Sequence, residues 1–170
     1  MTIRTTLKDT LRTIMITKPE RGMMNMNGHE LRKLLPETKL EIDKAEQLIR
    51  LGYPTIKPVI ADMLNWIYSP NDPVCWYFAP YLTAISHHVI DELAQFLDGT
   101  HHADNPTHQD YQLYAQNKCS VMTLVLDSIP VSTLAQLQSP LYRLAYHSSL
   151  MDHRAGCHQV ARRLLDKLAA

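Results

Sequence analysis

The chain of 170 residues predicts an all-α fold, and three observations predict it. Beyond Lys39, apolar residues recur at helical spacing in almost every segment. Glycine and proline punctuate the intervals between those segments, and convincing period-two alternation bounded by hairpin turns is absent, so no sheet is expected. Leu51-Gly52-Tyr53-Pro54-Thr55-Ile56-Lys57-Pro58 closes one helix and restarts another within a few residues, which is the elbow of a helical hairpin. The chain reads as a short stack of antiparallel helical hairpins, solenoid-like and about seven helices in all. Such stacks usually bind other macromolecules.

Each element has its own warrant. Ile3, Leu7, Leu11 and Ile14 have helical spacing and predict one short helix within an N-terminal extension, residues 1–36, while Arg21 to Gly28 reads as a loop. The main domain, residues 37–170, opens with a helix from Lys39, whose stripe is Leu40, Ala45, Leu48, Ile49 and Leu51. Gly52 ends it, and its partner runs from about Ile56 to Tyr68, with Pro58 tolerated in the first turn. Ser69 to Pro73 breaks the chain. A second hairpin follows, Val74 to Ile85 and His88 to Leu97, ended by Gly99. Its elbow near Ser86 lies 34 residues after Gly52, within the range of helical repeats. A polar insert from Gly99 to Gln109 precedes a fifth helix, Asp110 to Ser128. The sixth starts near Ser132 with a break at Ser139-Pro140, and the last spans Asp152 to Leu168.

Composition narrows the function classes. No apolar run approaches the roughly 20 residues of a membrane helix, and no signal-peptide segment follows Met1. Cys75, Cys119 and Cys157 are odd in number and widely spaced, without the spacing of a disulfide framework or zinc ribbon, so a reducing cytoplasm is expected. The formal net charge of +0 conceals segregation. Residues 1–57 carry 11 Lys+Arg against 7 Asp+Glu, residues 58–127 carry Lys118 against eight acids, and the remainder carries 5 against 2. An acidic middle disfavours nucleic acid and favours a basic partner.

Catalytic motifs fail by counting. The five glycines offer no G-x-G-x-x-G, P-loop or G-x-S-x-G spacing, and His29-Glu30 lacks the second histidine of a zincin helix. Cys157 and His158 are sequence neighbours, which point apart on a helix and make a poor nucleophile and base pair. Nine histidines are a surplus, and those of the insert, His101, His102 and His108, with Asp104 or Asp110, are the one set with hydrolytic-zinc potential. No cofactor, metal or catalytic residue is expected from these patterns. The aromatic residues Trp66, Tyr68, Trp76, Tyr77, Phe78 and Tyr81 all fall in the acidic middle, where rings beside carboxylates suit a Lys/Arg-rich protein. Expected partner contacts are Trp66, Tyr68, Asp72, Trp76, Tyr77, Asp91, Glu92, His101, His102, Asp104, His108 and Asp110.

Leu34-Leu35-Pro36, the Leu51 to Pro58 segment, Asp72-Pro73-Val74, Pro140-Leu141-x-Arg143-Leu144-Ala145 and the Val160-Ala161 helix together resemble an uncharacterised bacterial family of small HEAT-like helical domains. The resemblance covers about Leu34 to Leu168, and L-G-Y-P-x-I-K-P is its most specific part. A proline-led junction containing tryptophan is typical, and Trp66 with Pro73 to Trp76 matches it approximately, whereas the histidine-rich insert departs from it. Fold is what this resemblance implies; it carries no catalytic residues, and binding follows by analogy alone. The expectation is a small cytoplasmic protein-binding module, most concretely a bacterial immunity protein that neutralises a cognate toxin. The alternatives are a metal-dependent hydrolase built on the insert and a scaffold or adaptor.

Overall fold

The computed structural model describes residues 26–99 and 108–170, without the side chains of His108 and Gln109. The predicted first helix around Ile3 to Ile14 and most of the polar insert lie outside the described residues. Among the described residues every regular element is helical: α1 (Gly28–Lys33), α2 (Ile42–Leu51), α3 (Ile60–Asn65), α4 (Pro73–Ala84), α5 (Ile90–Asp98), α6 (His108–Leu124), α7 (Val131–Leu134), α8 (Gln138–Tyr146), α9 (Leu150–Arg154) and α10 (Cys157–Ala169).

One local pattern organises the chain. A helix leads into a short 3₁₀ turn, and a second helix follows: α2, Lys57–Val59 and α3; α4, Ser86–His88 and α5; α6, Leu126–Ser128 and α7. Each turn buries one of its own residues, Val59, Ser86 or Leu126, so the elbows are seated in the core rather than looped into solvent. Packing then joins like with like. α4 lies between α2 and α6, α5 lies between α3 and α8, and α10 closes the end against α8 and α6. The shared core includes Leu48, Ile60, Phe78, Leu82, Leu93, Phe96, Val121, Leu141 and Leu164. Phe78 and Phe96 are among its largest fully buried side chains, and truncating either to alanine costs about 3–5 kcal/mol.

The first elbow shows why its residues are needed. Gly52 has φ 68° and ψ 167°, a conformation open essentially to glycine alone, and Tyr53–Pro54 is a cis peptide bond. Tyr53 stacks on His88 with centroids 4.8 Å apart, which ties the first elbow to the second.

Several boundaries differ from the sequence expectation. A capping box opens α1, with the Glu30 amide donating to Asn27 Oδ1 at 3.0 Å and the Asn27 amide donating to Glu30 Oε2 at 3.0 Å, where a loop was expected to run through Gly28. Leu40 precedes α2 and is exposed, so it is not part of the buried stripe. The Ile56 to Tyr68 helix is a 3₁₀ turn plus the short α3, because Pro58 sits where the turn tightens. At Ser139-Pro140 no break occurs: a new helix starts at Gln138, and Pro140 falls in its first turn. The final helix is two, α9 and α10, separated at Gly156, whose φ is 81°.

Candidate functional site

The expected partner contacts converge best at the junction of α3 and α4. Trp66 caps the C-terminus of α3, and its ring centroid lies 6.2 Å from that of Tyr68. Trp76, on the first turns of α4, is 43% exposed, and its Nε1 donates to Pro70 O at 2.6 Å, folding the loop back against the helix. The loop is also pinned from beneath. Asn117 Nδ2 donates to Asn65 O and Ser120 Oγ donates to Tyr68 O, both at 3.1 Å and both from α6. Trp66 and Tyr68 are half-buried and packed over this support. Pro80, exposed within α4, has no N–H to offer the Trp76 carbonyl one turn back. The result is a small aromatic surface on a rigid mount, the kind of feature that anchors protein interfaces.

Electrostatics separate the other expected contacts from this surface. Tyr77 is half-buried, and burial, then the Glu46 carboxylate, then Asp43, hold its hydroxyl protonated above the usual range. Burial, followed by the neighbouring Asp72, does the same at Tyr68. Asp72 itself is buried and ion-paired with Lys39 at 3.7 Å, so it supports the junction from inside and presents little charge to a partner. Glu92 is mostly covered and faces Lys57 at 3.8 Å. Asp91 is exposed on the first turn of α5 and Asp110 on the first turn of α6. His101, His102 and Asp104 lie outside the described residues, and of His108 only its place at the start of α6 is described.

The segregated charges pair across the fold. N-terminal bases meet middle acids at Arg32–Asp62 (3.4 Å), Lys39–Asp72 and Lys57–Glu92, while C-terminal bases meet them at Arg143–Asp98 (2.6 Å) and Arg163–Asp127 (3.4 Å). The one base of the middle segment, Lys118, pairs with Asp152 of α9, each side chain only 8% exposed. Much of the acidic middle is therefore neutralised within the molecule, and the free acidic field expected from its composition is reduced.

Other surfaces were not legible in the sequence. Tyr142 and Tyr146, one turn apart on α8, are both exposed with centroids 4.7 Å apart, and Arg162 lies 5.3 Å over the Tyr146 ring. A broad groove of about 520 Å³ runs beside the first elbow, lined by Met26, Pro54, Thr55, Lys57, Pro58 and Glu92. Among the described residues no group of three His, Cys, Asp or Glu side chains is placed to hold a metal ion. No helix of the described residues is long and apolar enough to cross a membrane.

No curated protein and no solved structure matches the chain. Residues 34–165 match the family described as Domain of unknown function (DUF5071), which spans the helices from just before α2 into α10 and both halves of the aromatic junction. The chain belongs to that family.

Proposed function

We propose that the protein is a small binding module that engages one protein partner through the aromatic junction, most concretely a bacterial immunity protein that neutralises a cognate toxin. The observation that carries this reading is the half-exposed Trp76 ring, locked to Pro70 beside Trp66 and Tyr68. A surface tryptophan that is already ordered loses little conformational freedom on binding, which favours affinity. The partner's chemistry follows from what surrounds the rings. Glu46 and Asp43 lie beside Tyr77, next in sequence to Trp76, so cationic side chains find both carboxylates and ring faces there. The stacked helical architecture supports the reading by analogy with other helical repeats that present binding surfaces.

The test pairs capture with reconstitution. The tagged protein is purified from its native cells, the captured partner is produced separately, and the two are recombined and sized. A defined stoichiometric complex, together with rescue of growth when the partner is toxic alone, supports the proposal. Failure of the purified partner to re-form the complex, or equal binding by folded Trp76→Ala, overturns the assignment to this surface.

A further inference from the structure

Two of the three cysteines are brought together by the fold and are independent of the aromatic junction. Cys157 is the first residue of α10, wholly buried, and its Sγ lies 3.2 Å from the carbonyl oxygen of Ala115 on α6. Cys119 is one turn beyond Ala115 on the same helix and is only partly buried. The Cys157 thiol therefore lies over the turn that carries Cys119, since a helical carbonyl points along the axis toward the residue four positions on. A buried thiol seated on the turn that carries a second, partly exposed thiol is a placement from which a disulfide between two packed helices can form.

We propose that Cys119 and Cys157 form a hydroperoxide-reactive thiol pair, in which the accessible Cys119 meets the oxidant and the buried Cys157 closes a disulfide between α6 and α10. The Cys119 thiolate attacks one peroxide oxygen; the O–O bond breaks, Cys119 becomes a sulfenic acid, and the second oxygen leaves as hydroxide or alkoxide. Cys157 then attacks the sulfenic sulfur, its proton goes to the departing hydroxyl, and water leaves. Two thiols and one hydrogen peroxide give one disulfide and two waters, with two electrons passed to the peroxide.

The surroundings sort the two roles. The neighbouring Cys157 thiol is the main influence favouring the Cys119 thiolate; burial opposes it, Arg163 of α10 assists, and the Cys119 pKa comes down to about 7. Cys157, whose S–H donates to the Ala115 carbonyl, is pushed strongly the other way by its neighbour Cys119, by burial and by Asp152 of α9, with Lys118 of α6 opposing. An accessible, readily ionised thiol beside a protonated buried one matches attacking and resolving partners. Cys75, buried in α4 with its pKa raised to about 11, is the internal control.

The experiment uses the full, reduced chain exposed to hydrogen peroxide, then alkylated, unfolded and mapped by mass spectrometry. The expected result is a cross-linked Cys119–Cys157 peptide pair with the loss of two hydrogens, while Cys75 stays a free thiol. At pH 7, Cys119 should alkylate about tenfold faster than an ordinary thiol, because a far larger fraction is thiolate. Cys157→Ala should stop the reaction at a sulfenic acid on Cys119 that dimedone traps, and Cys119→Ser should abolish oxidation of Cys157. Should Cys157→Ala fail to fold, the wild-type cross-link decides the matter. Oxidation of Cys119 without a cross-link, or oxidation of Cys75 at the same rate, overturns the proposal.

Discussion

Removing the charge of Asp152 should destabilise the protein far more than any surface ion pair could. Asp152 and Lys118 join α9 to α6, each with a side chain 8% exposed, and the Lys118 ammonium also sits 5.2 Å from the centre of the Tyr114 ring. Asp152→Asn keeps the size and the hydrogen bond with Ser149 Oγ, which is 2.7 Å long, and deletes only the charge that compensates a buried ammonium. Leaving one buried charge uncompensated costs about 3–5 kcal/mol. Lys118→Met should cost less, because the Asp152 carboxylate keeps the Ser149 hydroxyl as a donor. In the double variant neither charge remains, so its loss should fall well below the sum of the single losses, leaving a coupling of about 2 kcal/mol or more. Urea unfolding followed by circular dichroism measures all four proteins, with an unchanged m-value required for the comparison. Single losses under about 1 kcal/mol, as for exposed pairs, or additivity within about 0.5 kcal/mol, would refute the buried-pair reasoning.

Three further outcomes are expected. A Cβ added at Gly52 or at Gly156 meets nothing within 4 Å, so each alanine variant reports backbone strain alone. Gly52→Ala should lose about 1–3 kcal/mol and Gly156→Ala less, since only Gly52 lies outside the left-handed helical region; equal losses in urea would contradict this. Tyr81 Oη is buried against the Tyr53 backbone without a well-formed hydrogen bond, and burial raises its pKa to about 12. Its hydroxyl thus stays protonated in the folded protein after it ionises in the unfolded chain, so stability falls as pH rises from about 10 to about 12. Tyr81→Phe should remove that component and leave stability at pH 7 within about 1 kcal/mol of wild type, checked by unfolding across pH. Asp43→Lys, beside Tyr77, should slow association with a basic partner and reduce its dependence on salt; unchanged stopped-flow rates would remove the acidic contribution from the proposed surface.

Helical periodicity exposed the fold because most core positions are aliphatic and strictly spaced. Ala45, Leu48 and Ile49, or Ala161 and Leu164, need only a 3.6-residue repeat to be placed inside. Leu40 broke the rule because it precedes the first helical turn, and periodicity says nothing about where hydrogen bonding begins. The capping box of Asn27 and Glu30 was present as an N-x-x-E pattern, yet glycine and methionine around it outweighed it as a loop signal. The proposed surface was legible only in part. Trp66 and Tyr68 are close in sequence and their rings remain close in space, with Trp76 tied to Pro70 of the same loop, whereas the exposure of Tyr142 and Tyr146 depends on what packs over α8. Charge failed most instructively. A one-dimensional count places Asp62, Asp72, Glu92, Asp98 and Asp127 in one acidic block, while the stacking of successive helices sets each against a base from another block. The Cys119–Cys157 pair was invisible for the same reason, since 38 residues separate thiols that meet only when α10 closes on α6.

The most direct measurement is a calorimetric titration of the reconstituted partner into the wild-type protein and into Trp76→Ala, with circular dichroism confirming that the variant is folded. The account predicts a single stoichiometric site in the wild type and at least about a thirtyfold loss of affinity in the variant, equivalent to a central anchor worth about 2 kcal/mol. Equal affinities for the two folded proteins would contradict the claim that this aromatic junction is the binding surface.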